Sequence, residues 1–282
     1  VGMAHLGLNL LDDYFDYKGG AVQKRQELQE GGMRARMGKC AYLSQGVTLE
    51  DTRRTATLLI ALALVLGVVV LVLRGWPIAV FALLTLVLGL AYAGPPLRLS
   101  YHGLGELVTG IIFGPLVVIA AYYVALGRID AVAVWASVPA GLLTINILNA
   151  HAIMDFESDK AADRMTMVVL LGTKQAGLVL RYVLLALSYA SVIVAVALGA
   201  FSPVALAVLV TVPMAIGFAR LLRQYVVAPD EPVVFKRWMG PMGDTAMAQK
   251  LGVDWFAIRW RLARNLLMAF VLIVALANGI RW

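Results

Sequence analysis

Cysteine and charged residues are scarce in this sequence of 282 residues. Cys40 is the only cysteine, which excludes a disulfide framework and a zinc site built on cysteines. Charged residues make up 15% of the chain and hydrophobic residues 61%, whereas an ordinary soluble domain has about 25% and roughly 45–50%. No soluble core of this size could bury so much apolar surface. The composition therefore excludes a soluble domain and a disordered chain, and it predicts a polytopic membrane protein.

The sequence begins with Val1 instead of Met, and we do not expect its first apolar run to be a signal peptide. The apolar run over residues 1–11 is too short to cross a bilayer, and no basic residues precede it. Asn9 and Asp12 stand where a signal peptide would have small residues at its cleavage site. We therefore interpret Val1 as a position inside a helix, and residues 1–282 as a single transmembrane domain that is truncated at its N-terminus.

Seven further apolar runs are long enough to span a bilayer. They cover residues 56–73, 76–93, 105–126, 131–154, 177–198, 202–222 and 262–280. Backbone groups in hydrocarbon must be satisfied within helices or closed barrels, and these runs show no two-residue alternation. With the truncated first helix, the sequence predicts an all-α, polytopic transmembrane helical bundle with eight visible spans.

Basic residues identify the cytoplasmic side. Alternate loops hold 20 of the 24 Lys and Arg residues, and these loops are residues 16–55, 94–104, 155–176 and 220–264. The opposite side and the C-terminus hold Arg74, Arg128 and Arg281. Because basic loops stay in the cytoplasm, we predict that these four loops face it and that the chain lies in the cell (inner) membrane, surrounded by membrane lipid. The net charge of +7 then reflects topology, and no nucleic-acid partner is expected.

The first acidic cluster lies at the end of the truncated helix. Successive residues of a helix are rotated by about 100°, so four of its oxygen-bearing side chains fall within an arc of about 100°. These are Asn9, Asp12, Asp13 and Asp16. Charged groups at a membrane helix are costly, so such a stripe indicates a functional site.

The second acidic cluster follows the span at residues 131–154. Asp155, Asp159 and Asp163 are spaced by four residues, which puts them on one face of a continuous helix. His151 lies one turn earlier on the same face, whereas Glu157 points away. This cluster therefore predicts a second stripe of possible metal ligands.

Both clusters lie at the cytoplasmic ends of their helices. We expect the first and fifth spans to be neighbours, so that the two clusters face each other. Mg²⁺ is usually held by one or two carboxylates together with substrate phosphates, so the facing clusters predict a cradle for Mg²⁺ and a diphosphate. Basic side chains on the same side would bind the phosphate oxygens. These are Lys18, Arg98, Lys160 and Arg164.

Simpler interpretations remain open for single residues. Asp12 or Asp13 could be part of a solvated helix end, and His151 could be a hydrogen-bonded helix residue. Arg98 could be a topological anchor that contributes only its charge. Tyr92 could flank a cationic intermediate with its ring face, but aromatic residues at a membrane interface need no such role.

Three segments of the chain carry a resemblance. They are residues 12–20, residues 92–115 and residues 155–172. In this order they resemble the UbiA superfamily of intramembrane prenyltransferases, and specifically its dihydroxynaphthoate polyprenyltransferases of menaquinone synthesis. The sequence departs from the family at Asp12 and His151, where the family often has Asn, and at Asp163, where the naphthoate branch often has Gly.

The resemblance implies nine helices and an Mg²⁺-dependent enzyme. Its reaction would transfer a polyprenyl group from a polyprenyl diphosphate to an aromatic acceptor, 1,4-dihydroxy-2-naphthoate, which loses its carboxylate. The expected catalytic residues are Asp16, Asp155, Asp159 and Arg98. The expected metal ligands are Asp12, Asp13, Asp16, Asp155, Asp159 and Asp163. The expected substrate-binding residues are Asn9, Lys18, Tyr92, Arg98, His151, Lys160 and Arg164.

Other functions remain as alternatives. A relative of the same family could use 4-hydroxybenzoate, homogentisate or a glycerol phosphate lipid as acceptor. A secondary transporter also uses carboxylates in apolar helices, but it places them near the bilayer midplane. A CDP-alcohol phosphotransferase would need Gly directly after the second Asp of its Asp pair, where this chain has Tyr17 after Asp16.

Overall fold

The structure is a computed structural model that describes residues 1–33, 42–43, 46–250 and 252–279. The predicted all-α class is confirmed over these residues. Their helices are α1 (Gly2–Lys18), α2 (Ala21–Glu30), α3 (Leu49–Arg74), α4 (Pro77–Ala93), α5 (Gly105–Leu126), α6 (Ala131–Met154), α7 (Phe156–Ala161), α8 (Met167–Leu170), α9 (Lys174–Ala197), α10 (Pro203–Val227), α11 (Thr245–Lys250) and α12 (Asp254–Gly279). Arg34, Arg36, Lys39, Cys40 and Arg281 lie outside the described ranges.

The membrane-spanning helices agree with the predicted bundle. Within the described residues, six helices are long and apolar enough to cross a membrane, namely α3, α5, α6, α9, α10 and α12. The remaining predicted span corresponds to α4, which is apolar but shorter at 17 residues. The helix predicted at the start of the sequence corresponds to α1, and Val1 stands at its N-cap. The chain is therefore a multi-pass helical membrane protein.

Two spans begin earlier than their apolar runs. Helix α3 begins at Leu49 because Thr48 and Asp51 form a capping box, in which each side chain accepts a hydrogen bond from the other residue's backbone N–H. Helix α12 begins at Asp254, and its buried Arg259 donates a hydrogen bond to the carbonyl oxygen of Leu221 at 2.9 Å. The polar residues at the start of each of these two helices, predicted to be loop, are therefore helical.

Helix α6 is the centre of the bundle and packs against α5, α9 and α12. Its contact with α5 depends on glycine. A Cβ atom at Gly114 would lie 2.7 Å from the Cα of Gly141 and 2.8 Å from the carbonyl oxygen of Ser137. The same stretch of α5 contains a π-helical turn over Ile112–Leu116 that includes Pro115, which has no N–H to donate. Small residues and this turn let the two backbones approach closely.

Helix α3 lies at the edge of the bundle, against α1 and α4. Only 6% of its most apolar 18-residue stretch is buried inside the protein. Leu58, Val65 and Val72 expose 70%, 60% and 79% of their surface. In water such a face would be unstable, so we interpret it as a lipid-facing surface.

Candidate active site

The end of α1 carries the first acidic cluster. Asp12, Asp13 and Asp16 expose 6%, 7% and 1% of their surface, so three carboxylates are buried on one side of the helix. Asn9 differs from this group because it is exposed and its Nδ2 atom lies 3.3 Å from Nε2 of His5. The predicted stripe is therefore present for the three aspartates, and Asn9 lies at its margin.

The second cluster is split by a helix break. Helix α6 ends at Met154, and Asp155 joins it to the short helix α7. Asp155 and Asp159 are buried, with 4% and 3% of their surface exposed. Asp163 lies beyond α7 with a φ of 53°, and its side chain is 89% exposed and paired with Lys24 at 3.0 Å.

The predicted stripe over Asp155, Asp159 and Asp163 is thus wrong at its last member. A spacing of four residues gives one face only while a helix continues, and here the chain leaves the helix at Ala162. The buried part of the second cluster is Asp155 and Asp159 alone. Glu157 faces solvent as predicted and pairs with Lys174 at 3.2 Å.

Arg164 and Tyr101 bring the two clusters together. Arg164 Nη1 lies 3.5 Å from Oδ2 of Asp16, and the Tyr101 hydroxyl donates to Oδ1 of Asp16 at 2.7 Å. The Arg164 backbone N–H in turn donates to the Asp159 carbonyl oxygen at 2.9 Å. A residue that follows the second cluster therefore binds a carboxylate of the first.

The expected side-by-side packing of the first and fifth spans is not found among the described residues. Helix α1 packs against α3, α4 and α2, and its main contacts do not include α6. The clusters meet instead through the segments that follow each helix. The two clusters can meet although their helices are not neighbours, because Arg164 and α2 bridge the distance between the helix ends.

Helix α2 contributes a residue that the sequence analysis did not identify. Arg25 exposes 5% of its surface, and its Nη2 atom lies 2.7 Å from Oδ1 of Asp159. The polar sequence of α2 suggested only a basic loop. The local sequence does not mark Arg25, because its burial and its pairing with Asp159 depend on tertiary structure.

Arg98 packs on the ring of Tyr101, whose hydroxyl donates to the Asp16 carboxylate. Its guanidinium carbon is 4.0 Å from the centre of the Tyr101 ring, and a Cβ atom at Gly19 would lie 3.3 Å from its Nη2 atom. Arg98 has a φ of 40°, in the left-handed region, which turns the chain directly before Leu99–Tyr101. The predicted placement of Arg98 beside the end of α1 is therefore found.

The remaining predicted residues lie around this centre. Lys18 and Lys160 are exposed, and Lys18 Nζ is 5.7 Å from the centre of the Tyr14 ring. His151 packs its ring against Phe256 at 5.0 Å between centroids. Tyr92 is half-buried beside Gly105, where a Cβ atom would lie 3.2 Å from its ring. The structure therefore gives His151 an aromatic contact and leaves both lysines at the exposed rim.

Burial and charge perturb the titration of the central groups. Burial raises the pKa of Asp159, although the nearby guanidinium groups of Arg164 and Arg25 oppose the rise. Burial, together with Asp16, raises the pKa of Tyr101 to about 12, so its hydroxyl remains a donor. Burial by itself would lower the pKa of Arg164, but the attraction of Asp16 and other acidic groups raises it well above its usual value. The site is therefore a compact, water-poor assembly of ion pairs.

The donor set fits Mg²⁺ held together with a substrate. Among the described residues, no three acidic, His or Cys side chains are arranged to enclose a metal ion by themselves. Mg²⁺ does not need such a cage, because one or two carboxylates and substrate phosphate oxygens usually complete its octahedron. Buried carboxylates on both sides of Arg164 match that mode. The side chains suited to it are Asp12, Asp13, Asp16, Asp155 and Asp159.

The fold and this site define a polytopic helical membrane protein with buried carboxylates at one end of its bundle. Residues 1–240 match the model of the UbiA prenyltransferase family, so the chain belongs to that family. No solved structure matches the chain.

Three curated relatives are similar over part of their length. The chain is 28% identical over 208 residues to 1,4-dihydroxy-2-naphthoate octaprenyltransferase of Bacillus subtilis, covering 74% of this chain and 64% of that protein. It is 33% identical over 194 residues to 2-carboxy-1,4-naphthoquinone phytyltransferase of Synechocystis, covering 66% and 62%. It is 29% identical over 168 residues to 1,4-dihydroxy-2-naphthoate octaprenyltransferase of Mycobacterium tuberculosis, covering 59% and 54%. The chain thus spans less than two thirds of each relative.

Proposed function

We propose that this protein transfers a polyprenyl group from a polyprenyl diphosphate to an aromatic acceptor. The observation that carries the proposal is the ion-paired centre in which Arg164 contacts Asp16 at 3.5 Å and Arg25 contacts Asp159 at 2.7 Å. Both pairs lie at the same end of a bundle whose spanning helices are apolar. Such a centre can bind a charged diphosphate while the attached prenyl chain remains among apolar helices.

In this proposal the reaction is an electrophilic aromatic substitution. The bond between the allylic carbon and the diphosphate oxygen breaks, and the electron pair leaves with the diphosphate. A carbon of the electron-rich ring then forms a bond to the allylic cation, and the ring regains its aromaticity by releasing a proton or carbon dioxide. Mg²⁺, when bound, would neutralise charge on the departing diphosphate.

The residues of the chain have separate roles in this reaction. The buried aspartates would hold the metal, and Arg98 and Arg164 would donate hydrogen bonds to phosphate oxygens. Lys18 and Lys160, at the exposed rim, would attract the anionic donor from the aqueous side. Tyr101 keeps Asp16 in place with its hydroxyl and supports Arg98 with its ring. The apolar surroundings keep water from the cation.

We further propose 1,4-dihydroxy-2-naphthoate as the acceptor, with release of its carboxylate as carbon dioxide, as in menaquinone synthesis. The names of the relatives from Bacillus subtilis and Mycobacterium tuberculosis support this acceptor, and the name of the Synechocystis relative supports a closely related naphthalene ring. The protein would act in the cell membrane, with the loops around the site on the cytoplasmic side. The excess of basic residues in those loops supports that orientation.

The experiment compares purified protein on a panel of substrates. Prenyl diphosphates of several lengths are incubated with 1,4-dihydroxy-2-naphthoate, 4-hydroxybenzoate or homogentisate, and products are identified by mass. We expect a decarboxylated prenyl-naphthalene product that disappears with EDTA and returns with Mg²⁺. Prenylation of 4-hydroxybenzoate or homogentisate instead would reject the acceptor, and no product from any prenyl diphosphate would reject the reaction.

A pair of variants tests the site in the same assay. Asp16→Asn keeps the size of the side chain but removes its charge, so we expect loss of turnover. Glu157→Gln makes the same change at an exposed residue of α7 and should retain activity. Equal activity of the two variants would remove Asp16 from the proposed mechanism.

A further inference from the structure

A groove between α9 and α10 lies apart from the acidic clusters. It has a volume of about 390 Å³ and is lined by residues of these two helices only. Its walls include Ala186 and Ile216, and Tyr189 lies at its inner end with its hydroxyl 2.7 Å from Oγ1 of Thr211. The volume falls within the range of about 300–1,000 Å³ that is typical of ligand sites.

The outer end of the groove carries two arginines. Arg220 and Arg223 both line it, both are exposed, and they are three residues apart on one face of α10. Neither has an ion pair or a hydrogen bond from its side chain with any residue that the structure describes. Two like charges side by side are unfavourable unless an anion neutralises them.

The depth of the arginines is fixed by a contact to α6. The Tyr225 hydroxyl donates to the carbonyl oxygen of Met154 at 2.8 Å, so this end of α10 is level with the last residue of a membrane span. Arg223 therefore lies where the bilayer surface meets water. From Arg223 to Val212 the groove follows 11 residues of helix, or about 17 Å at 1.5 Å per residue, into the hydrocarbon.

We propose that this groove binds an anionic phospholipid, with its phosphate between Arg220 and Arg223 and one acyl chain along the apolar walls. The charge at the interface matches the headgroup, and the apolar length below it matches a hydrocarbon chain. Two other possible occupants of the groove are excluded on physical grounds. A second copy of the chain related by two-fold symmetry would bring the arginine pairs towards each other. A prenyl diphosphate bound here would lie away from α1 and α7, which carry the acidic clusters.

The first test measures lipid binding by native mass spectrometry of the purified protein. Phosphatidylglycerol or phosphatidylcholine is added to delipidated protein. We expect the double variant Arg220→Gln, Arg223→Gln to bind phosphatidylglycerol on the order of 10- to 30-fold more weakly, as two interfacial basic residues predict. The control Lys236→Gln, Arg237→Gln removes the same charge from exposed residues outside the groove and should bind normally.

The second test fills the groove and leaves its charge intact. Ala186→Trp places a large ring in the path of the acyl chain, whereas Val183→Trp places it on an exposed position of α9 that does not line the groove. We expect only the first to lose phosphatidylglycerol. Equal phosphatidylglycerol binding by the Arg220→Gln, Arg223→Gln variant and the Lys236→Gln, Arg237→Gln control would overturn the proposal. Equal affinity for phosphatidylcholine, competition by a prenyl diphosphate, or a dimer that dissociates in Ala186→Trp would each overturn it as well.

Discussion

Replacing Arg25 with Met tests whether α2 is held on the site by a buried ion pair. Arg25 and Asp159 are 2.7 Å apart, and their side chains are 7% and 5% exposed. The adjacent residue Lys24 forms a second ion pair with Asp163 at 3.0 Å, but those side chains are 46% and 89% exposed. Lys24→Met is therefore a matched control that removes one cation from the same helix.

The two substitutions should differ greatly in cost. At 2.7 Å and an effective dielectric constant of 20, the attraction between Arg25 and Asp159 is about 6 kcal/mol, and removing one partner of a buried pair costs about 3–5 kcal/mol. An exposed pair such as Lys24 with Asp163 contributes about 0–1 kcal/mol. Protonation of Asp159 would reduce the cost of Arg25→Met, since burial already raises the pKa of that carboxyl.

Hydrogen exchange at the backbone amides of α2 measures the effect. Because α2 packs mainly on α1 and α7, we expect it to open locally rather than with the whole protein. Exchange over Ala21–Glu30 should accelerate at least about 100-fold in Arg25→Met and at most about fivefold in Lys24→Met.

The difference between the two variants should also depend on pH. The unpaired carboxylate destabilises Arg25→Met only while it is charged, so protection of α2 in that variant should increase as pH falls through the raised pKa of Asp159 and approach that of Lys24→Met. Similar exchange in both variants at neutral pH would refute the buried ion pair as the attachment of α2.

Three further substitutions test other parts of the structure. Arg98→Lys should raise the KM for the prenyl diphosphate by about tenfold in steady-state kinetics, because Lys lacks the planar fork that stacks on Tyr101 and binds phosphate; unchanged kinetics would leave Arg98 as a topological anchor. Tyr101→Phe should have a similar effect, since Asp16 loses its hydroxyl donor, and normal kinetics would argue against that role. Gly114→Ala should lower the thermal unfolding temperature, at a cost of about 1–3 kcal/mol, because its Cβ meets backbone atoms. Gly67→Ala meets nothing within 4 Å and should not lower it, so an equal loss in both would contradict the close packing of α5 on α6.

The overall architecture could be predicted because membrane spans depend on local composition. A run of apolar residues such as 131–154 must be a helix in hydrocarbon, and α6 has those bounds. The ends of α3 and α12 could not be read from apolarity, since a capping box and a buried Arg259 extend these helices into polar sequence. The positions of the spans therefore follow from the sequence more closely than their ends do.

The site was predictable residue by residue only where the helix continued. Asp12, Asp13 and Asp16 share the buried side of α1 as the helical period requires. The prediction that Asp163 shares a face with Asp159 was wrong because the chain turns after α7, and nothing in the spacing of the aspartates indicates that turn. Arg25 was missed because its partner lies 134 residues away, and a pairing at such distance depends on tertiary structure.

Comparing Asp159→Asn with Asp163→Asn in Mg²⁺-dependent prenyl transfer tests whether the buried carboxylates form the active site. The two aspartates are four residues apart, but Asp159 is buried beside Arg25, whereas Asp163 is exposed at the rim. We expect Asp159→Asn to abolish turnover in a protein that still inserts and folds, and Asp163→Asn to retain it with an unchanged Mg²⁺ requirement. Full activity in Asp159→Asn, or equal loss in both variants, would contradict the site described above.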